Sequence, residues 1–399
     1  MKEVLIKEYE NTTILNLPYK EPKNSIVYHF VDGATCAING PQKKEYLVKF
    51  INPLKNETVH EAVISNNMWT KTSAQYFIPW IIKVYDNETK ELIDTHTLNL
   101  KDKRVYIHLD SSALGDTLAW FPFVEEFRKK HQCHLTVSTH KNHWFKEKYP
   151  EIEFATPGEV VYDLYAKYGI GWFYNGKNIE YSKHPTNPRT ISLQQTASSI
   201  LGLPYKEIKP LLDIPLKTPS IEGDYVCIAP HASAHAKYWN YPGGWQTIID
   251  YLNKKGFKVV MITHEPLGDD WHDSKLGGTL KGVVDKTGNY PIEEIYNDIV
   301  HAKAFIGVSS GLSWFTWTTE TPIVLISGFS KPFTEFQNCE RIFNFDASVC
   351  GGCFNREWLD PGDWEWCPDH KDTSRHFECT KTIKPETIIN TLNKILNIY

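Results

Sequence analysis

The stretch Val105–Trp120, VYIHLDSSALGDTLAW, decides the fold that we expect for this chain. Its apolar run, Val105–Leu109, predicts a buried strand, and the small polar residues after it predict a turn. Gly115 and Asp116 then open an apolar-periodic segment that predicts a helix to about His131. A strand, a short turn and a helix form the repeating unit of an open α/β sheet, where ligands bind at the carboxyl ends of the strands.

The turn in front of this predicted helix is a candidate ligand site. Because backbone N–H groups at a helix start favour an anion, we expect Ser112, Leu114 and Gly115 to contact an anionic ligand, such as the phosphate of a donor substrate. Asp116 is an unusual residue in such a turn. Its carboxylate either caps the helix or acts as a general base on an acceptor hydroxyl, and the sequence leaves both roles open. Asp110 is the second candidate for the base.

The composition limits the class of protein. The chain has 399 residues, of which 41% are hydrophobic, and this predicts two or three domains with sizeable cores. Its net charge is -5 and it has no long basic block, which argues against nucleic-acid binding. The N-terminal residues lack the apolar core of a signal peptide, and no apolar run is long enough to span a membrane. We therefore expect a cytoplasmic protein whose eight cysteines are reduced.

The pattern of apolar and turn-forming residues divides the chain into three regions. Residues 1–100 show short apolar runs between turn signals and predict a small all-β domain, a sandwich or a barrel, for assembly or acceptor contact. Residues 101–215 alternate strands with helices and predict a Rossmann-like lobe. Residues 216–399 repeat this alternation after a proline-bearing linker at 211–220, and predict a second, donor-binding lobe. Two such lobes suit a nucleotide-sugar enzyme that binds its ligand in the cleft between them, or a two-domain binding protein.

The expected elements follow from the apolar periodicity. In the all-β region we expect strands at 45–51, 59–64, 76–85 and 91–100. In the two lobes we expect strands at 105–109, 134–138, 152–154, 225–229, 258–263, 304–308 and 322–327. We expect helices at 116–131, 141–149, 191–201, 245–255, 291–301, 313–320 and 384–397. The aromatic, glycine-bearing stretch 165–174 shows no clear pattern.

A second strand–turn–helix pattern lies at Ile306–Phe315, IGVSSGLSWF. Small residues at a helix start leave several N–H donors open to a phosphate. We therefore expect the donor to contact four residues, Ser310, Gly311, Leu312 and Ser313. Many α/β turns contain serine and glycine for backbone reasons alone, so this pattern gains weight from its pairing with the first.

A candidate cation follows the first strand of the second lobe, in Ala229–Asn240, APHASAHAKYWN. Lys237 could stabilise the negative charge of a departing nucleoside diphosphate. The alternative is a solvated lysine beside a structural tryptophan. His231 and His235 are four residues apart, and without a third ligand they do not predict a metal site.

The spacing of the last cysteines predicts a metal site within residues 339–381. Cys350 and Cys353 form a C-x2-C pair, and Cys367 and Cys379 follow in a segment with few aliphatic residues. Four thiolates fit tetrahedral ligation and leave no position open for a substrate, so we expect a structural metal. Spacing does not separate zinc from iron. Four unrelated thiols are the alternative, and Cys339 could compete as a ligand.

Taken together, these stretches resemble the bacterial autotransporter heptosyltransferases, which belong to the wider heptosyltransferase family with the two-lobed GT-B fold. The resemblance covers most of the chain. It rests on SALGDTLAWFP (112–122), AKYWN (236–240), SSGLSWFTW (309–317), PIVLISGFS (322–330) and CGGC…WCPDHK…FECTK (350–381).

The resemblance implies an activity and assigns roles. The donor would be ADP-heptose, and the acceptor would be a serine hydroxyl on an autotransporter passenger protein in the cytoplasm. Asp116 matches the catalytic base, Lys237 the lysine that binds the donor phosphates, and the loop 310–313 the diphosphate cradle. The four cysteines Cys350, Cys353, Cys367 and Cys379 match the ligands of an iron site. The resemblance also implies a large homo-oligomer, a dodecamer.

One departure separates this chain from heptosyltransferases that act on lipopolysaccharide. Those relatives tend to have histidine after the GLS triplet, where this chain has Trp314. The difference favours a protein acceptor. A lipopolysaccharide-core heptosyltransferase and an inactive scaffold that binds the nucleotide sugar remain the alternative functions.

Overall fold

The computed structural model of the chain describes residues 23–356 and 367–398. These residues fall into two compact units. The smaller unit holds the described residues up to Tyr28, together with Thr35–Lys71 and Trp80–Thr97. The larger unit holds His29–Ala34, Thr72–Pro79 and the described residues from Leu98 onward. The domain boundaries expected at residues 100 and 215 remain predictions.

Two β-sheets build the smaller unit. Its seven strands are β1 Ser25–His29, β2 Thr35–Asn39, β3 Glu45–Asn52, β4 Glu57–Ser65, β5 Met68–Lys71, β6 Ile81–Asp86 and β7 Leu92–Thr97. One sheet has the order β1-β2-β5, and the other is antiparallel with the order β4-β3-β6-β7. Alternate side chains of β3, namely Tyr46, Val48 and Phe50, are buried, as a half-buried strand requires. The strand expected from residue 76 begins only at Ile81, because Pro79 has no N–H to donate to a ladder.

A four-stranded parallel sheet opens the α/β part of the larger unit. Its strands are β8 Arg104–Leu109, β9 His134–Ser138, β10 Ile152–Phe154 and β11 Ala166–Ile170, in the order β10-β9-β8-β11. Its helices are α1 Leu114–His131 and α2 Leu193–Ile200, and a short hairpin, β12 Tyr174–Asn175 and β13 Asn178–Ile179, follows β11.

The prediction of a helix at 141–149 is wrong. Only a 3₁₀ turn, Asn142–Trp144, forms there. The Asn142 side chain accepts a hydrogen bond from the Thr139 N–H (2.8 Å), and Phe145 stacks on Phe121 with ring centroids 3.7 Å apart. Local side-chain hydrogen bonding and core packing therefore outweigh the apolar periodicity.

A six-stranded parallel sheet follows. Its strands are β14 Tyr225–Ala229, β15 Lys258–Met261, β16 Val284–Asp285, β17 Ala304–Val308, β18 Ile323–Ile326 and β19 Glu340–Ile342, in the order β16-β15-β14-β17-β18-β19. Its helices are α3 Gly244–Lys254, α4 Asp270–Leu276, α5 Ile292–His301, α6 Gly311–Trp317, α7 Glu378–Lys381 and α8 Pro385–Leu396. Apart from the 141–149 helix, the helices expected in the α/β part are confirmed with ends within three residues of those expected.

Each parallel sheet has one point at which the strand order reverses, between β8 and β11 in the first and between β14 and β17 in the second. Ligands in open α/β sheets bind at such switch points. The chain after β8 leads to Asp116, the chain after β14 to Lys237, and the chain after β17 to Ser310. Among the described residues, no helix has the length and apolarity to cross a membrane.

Candidate functional site

A cavity of about 620 Å³ lies at the carboxyl ends of the two parallel sheets. Its walls include residues that follow β8 and β11 of the first sheet and β14, β15, β16, β17 and β18 of the second. Its volume falls within the range of about 300–1,000 Å³ that is usual for small-molecule sites. Both halves of the larger unit therefore contribute to one site.

Asp116 lies in the first turn of α1 and is partly buried in the cavity wall. Its Oδ2 accepts hydrogen bonds from Ser111 Oγ (2.7 Å) and from Trp172 Nε1 (3.2 Å). Neither bond is to a backbone N–H, and α1 has no side-chain cap, so the helix-cap role is wrong. Within the described chain no hydrogen bond reaches Oδ1, which leaves that oxygen open to accept a proton.

Burial raises the pKa of the Asp116 carboxyl above its ordinary value. The hydrogen bonds from Ser111 and Trp172 and the charge of Lys237 act in the opposite direction. A raised pKa makes the carboxylate a stronger base near neutral pH. The electrostatics of the site thus favour proton transfer to Asp116.

Lys237 ends a 3₁₀ turn, His235–Lys237, that follows β14. It is partly buried in the cavity wall, and its Nζ lies 3.2 Å from Ser233 Oγ. Burial lowers the pKa of Lys237, while the negative charges of Asp116 and Glu335 act to raise it. The structure therefore brings Asp116 and Lys237, which are far apart in sequence, close enough for their charges to interact.

The starts of α1 and α6 approach each other closely at the cavity. A Cβ built on Gly311 would lie 2.9 Å from Leu114 Cβ and 3.3 Å from the backbone nitrogen of Gly115. A Cβ built on Gly115 would lie 3.0 Å from Trp314 Cδ1. Neither glycine has a positive φ, so the lack of space, not the backbone conformation, favours glycine at both positions, and most strongly at Gly311.

Most of the predicted donor-binding residues lie in the cavity wall, and three candidates do not. The wall includes Leu114, Gly115, Lys237, Ser310, Gly311 and Leu312. Ser112 is exposed outside it, and so is Asp110, the second candidate for the base. Ser313 is buried, and its Oγ donates to the carbonyl of Val308 (2.6 Å), which is a structural contact. The donor-binding roles remain predictions.

Two residues of the cavity wall carried no signal in the sequence. Trp172, which donates to Asp116, lies in the stretch 165–174 that has no clear periodicity. Glu335 is a buried carboxylate that accepts from Ser330 Oγ (2.5 Å) and from Arg341 Nη1 (2.9 Å). An isolated glutamate in a loop shows nothing in sequence that would distinguish it from a surface residue.

The four cysteines of the predicted metal site lie in what we call the metal segment, residues 350–356 and 367–381. Cys353, Cys367 and Cys379 are buried, and Cys350 is partly buried. Burial is the main cause that raises the pKa of the Cys350 thiol to about 12 and that of Cys353 to about 11, and the negative charge of Cys367 contributes to both shifts. Buried thiolates that repel one another are stabilised by a bound cation, so these residues fit a metal.

The metal segment also offers ligands that the spacing of the cysteines does not show. One ligand atom each from Cys350, His370 and Glu378 lie within 4.8 Å of one another. The carboxylate of Glu378 accepts the N–H of Cys350 (2.8 Å). The largest charge effects on the pKa of Cys339 come from Arg341 and from three glutamates outside the metal segment, Glu335, Glu207 and Glu340. The Cys350, Cys353, Cys367 and Cys379 ligand set remains a prediction.

The fold and a family model agree on the class of the protein. Residues 167–336 match the model of glycosyltransferase family 9 (heptosyltransferase). Two parallel sheets with a cavity at their facing switch points are the GT-B arrangement. The chain is therefore a glycosyltransferase of the heptosyltransferase type.

Similar proteins narrow this class. The autotransporter heptosyltransferase TibC of Escherichia coli O78:H11 (strain H10407) is 35% identical over 388 residues, which cover 95% of this chain and 91% of TibC. The autotransporter heptosyltransferase BAHTCr of Citrobacter rodentium is 34% identical, with coverage of 95% and 91%. The inactive autotransporter heptosyltransferase BimC of Burkholderia thailandensis is 28% identical, with coverage of 96% and 89%. The chain belongs to the autotransporter heptosyltransferase family.

Solved structures of TibC share this fold. The crystal structure of TibC, described as an iron-containing dodecameric glycosyltransferase, matches with a TM-score of 0.83 and 32% identity, and covers 97% of this chain and 99% of TibC. A second TibC structure, a complex with ADP-D-beta-D-heptose, matches with a TM-score of 0.82 and 31% identity over 97% and 99% of the two chains.

Proposed function

We propose that this enzyme transfers heptose from ADP-heptose to serine hydroxyls of an autotransporter passenger protein in the cytoplasm. The observation that carries the proposal is the placement of Asp116 and Lys237 on the wall of one cavity, at the switch points of two parallel sheets. The complex of TibC with ADP-D-beta-D-heptose supports the donor. The eight unpaired cysteines of the chain support a reducing compartment.

The proposed mechanism is a direct displacement. Asp116 Oδ1 takes the proton of the acceptor serine while the serine oxygen attacks the anomeric carbon of heptose. The bond between that carbon and the phosphate oxygen breaks, and ADP leaves with the electron pair. Lys237 and the N–H groups of the loop 310–313 stabilise the charge on the departing diphosphate. The products are the glycosylated serine, ADP and a proton on Asp116.

The proposal extends to a metal and an assembly. Cys350, Cys353, Cys367 and Cys379 would hold one structural ion, iron by similarity to TibC, with zinc as the alternative. The ion would supply a cross-link for a segment that has few aliphatic residues. TibC is described as dodecameric, and we propose a large homo-oligomer for this chain as well.

The test is the intact mass of a passenger fragment after incubation with the enzyme and ADP-heptose. We expect a gain of one or more heptosyl units. Asp116→Asn should lower the rate by about 10²–10⁴-fold, because the amide retains the shape of the side chain but takes no proton. Unchanged turnover by Asp116→Asn would remove this residue from the role of base.

The same experiment separates the alternatives. A gain of heptose on a lipid acceptor, and none on the passenger, would make this chain a lipopolysaccharide-core heptosyltransferase. Binding of ADP-heptose without transfer to either acceptor would place it with inactive relatives such as BimC.

A further inference from the structure

The metal segment reaches the wall of the cavity through Phe354. This residue follows Cys353, is buried and lines the cavity. Its N–H donates to the carbonyl of Phe329 (3.0 Å). The next residue, Asn355, donates to the carbonyl of Arg189 (2.7 Å) and accepts the N–H of Lys331 (2.7 Å). Hydrogen bonds on both sides therefore fix the backbone that carries the Phe354 ring.

The Phe354 ring contacts the tryptophan that is bonded to Asp116. The rings of Phe354 and Trp172 meet edge to face, with centroids 5.8 Å apart and an interplanar angle of 81°. On another side, Trp172 lies against Trp120 at 6.3 Å. An indole N–H donates to a carboxylate only while the ring is held in one orientation. These two aromatic neighbours provide that restraint.

The metal segment also contacts the loop that carries Lys237. Ala236 packs in one apolar cluster with Cys353, Phe354, Cys367 and Phe377. The ring of His235 lies 4.6 Å from that of Phe377.

A hydrogen bond holds the loop on its other side. Asn240 Nδ2 donates to Thr380 Oγ1 (3.1 Å), and Thr380 is adjacent to Cys379 in the chain. Thr380 is itself buried. The metal segment therefore contacts the Lys237 loop both before and after Lys237.

We propose that the metal segment positions both reacting groups of the enzyme. Phe354 holds Trp172 on Asp116, and Thr380 holds the loop that presents Lys237. Phe354, Trp172 and Thr380 are positioning residues, since each acts through another group. The part of this inference that concerns Asp116 rests on the proposed function. The part that concerns Lys237 is tested by the binding of ADP alone.

The first experiment is a double-mutant cycle on Phe354 and Trp172. Phe354→Leu should lower kcat about tenfold, because a small misplacement of a reacting group is enough for a loss of this size. The KM for ADP-heptose should stay the same. The acid limb of the pH profile should move to higher pH, because Asp116 loses a hydrogen bond that lowers its pKa; Lys237 is the other charged group that faces it.

If Phe354 acts through Trp172, the double variant Phe354→Leu/Trp172→Phe should be no slower than Trp172→Phe alone. Phe354→Tyr keeps the ring and should retain the wild-type kcat. Phe345→Leu is the matched control, because that ring is 76% exposed. Fully multiplicative effects of the two substitutions, or a wild-type pH profile for Phe354→Leu, would overturn the inference. Trp172→Phe alone should also lower kcat and move the acid limb of the pH profile to higher pH, and it leaves the metal segment unaltered.

The second experiment measures the affinity for ADP by calorimetry. Thr380→Val removes the oxygen that accepts from Asn240, and should weaken ADP binding about tenfold. Thr382→Val is the matched control, because its hydroxyl donates to the carbonyl of Glu378, away from the Lys237 loop. The metal content of both variants should equal that of the wild type.

The positioning of Lys237 and the proposed function are refuted by different results. Equal ADP affinity for Thr380→Val and the wild type would refute positioning of Lys237. A wild-type enzyme that transfers no heptose would refute the proposed function, and the calorimetric comparison would still decide the role of Thr380.

Discussion

A methyl group added at Gly311 tests whether the close approach of α1 and α6 sets the rate of transfer. The added Cβ would lie 2.9 Å from Leu114 Cβ and 3.3 Å from the backbone nitrogen of Gly115. The second contact is with backbone, which has no rotamer to change. To reach an ordinary carbon–carbon distance of about 3.5 Å, the two helix starts must separate by about 0.6 Å.

Two effects of opposite sign act on the stability of Gly311→Ala. Replacing glycine by alanine where space allows stabilises a fold by about 0.4–1 kcal/mol. Overpacking of a filled site costs about 1–3 kcal/mol. Because the contact is with backbone, we expect the second effect to dominate. Since a misplacement of about 1 Å lowers a rate about 10²-fold, separation of the helix starts should lower kcat/KM about tenfold.

The assay is kcat/KM with ADP-heptose and a passenger fragment, together with the Tm of each variant. Gly115→Ala is the matched control, because the tight contact of its Cβ would be with the Trp314 side chain, at 3.0 Å, whereas Gly311 Cα would lie at an ordinary distance of 3.6 Å. It should lower kcat/KM less than Gly311→Ala does. A Gly311→Ala enzyme with a raised Tm and the wild-type kcat/KM would show that the close approach is no constraint.

Three further perturbations test the site and the smaller unit. The rate of heptose transfer should fall as the pH falls through the pKa of Asp116. Ser111→Ala should move this acid limb of the pH–rate profile to higher pH, because it removes a hydrogen bond that lowers the pKa of Asp116. Lys237→Met should lower kcat about 10²-fold in steady-state assays, because the departing diphosphate loses a cation. The hydrogen bond with Lys44 is the main cause that lowers the pKa of Asp86 to about 2. The ionised carboxylate should therefore stabilise the fold at pH values above its unfolded pKa of about 3.9, and this stabilisation should be lost as the pH falls through about 2. The difference in Tm between wild type and Asp86→Asn, measured from pH 2 to pH 6, should therefore shrink towards pH 2.

Local patterns in the sequence were enough to locate Asp116 and Lys237. Each follows an apolar-rich run that forms a strand of a parallel sheet, β8 and β14, and the carboxyl ends of parallel strands are where ligands bind. The strand and helix order of the α/β part was predictable for the same reason. Periodicity depends only on near neighbours in the chain.

Trp172 and Glu335 could not be found in this way. Trp172 acquires its role from a hydrogen bond to a residue 56 positions earlier. Glu335 is buried in the assembled fold, where its charge acts to raise the pKa of Lys237, and no local pattern shows this. The same applies to the helix expected at 141–149, where the stacking of Phe145 on Phe121 outweighs a local apolar pattern.

The helix α8 has a consequence for the biosynthesis of the enzyme. Ile388 and Leu392 of this helix are fully buried in the core of the six-stranded sheet, with Val226 and Ile306. They are translated after the cysteines of the metal segment, so this core lacks the α8 side chains when those thiols leave the ribosome. Translation at about 5–20 residues per second covers the stretch of about 40 residues from Cys350 to Leu392 in about 2–8 seconds. During that interval the thiols depend on the reducing power of the surrounding solution, and the supply of metal to nascent chains should affect the yield of folded enzyme.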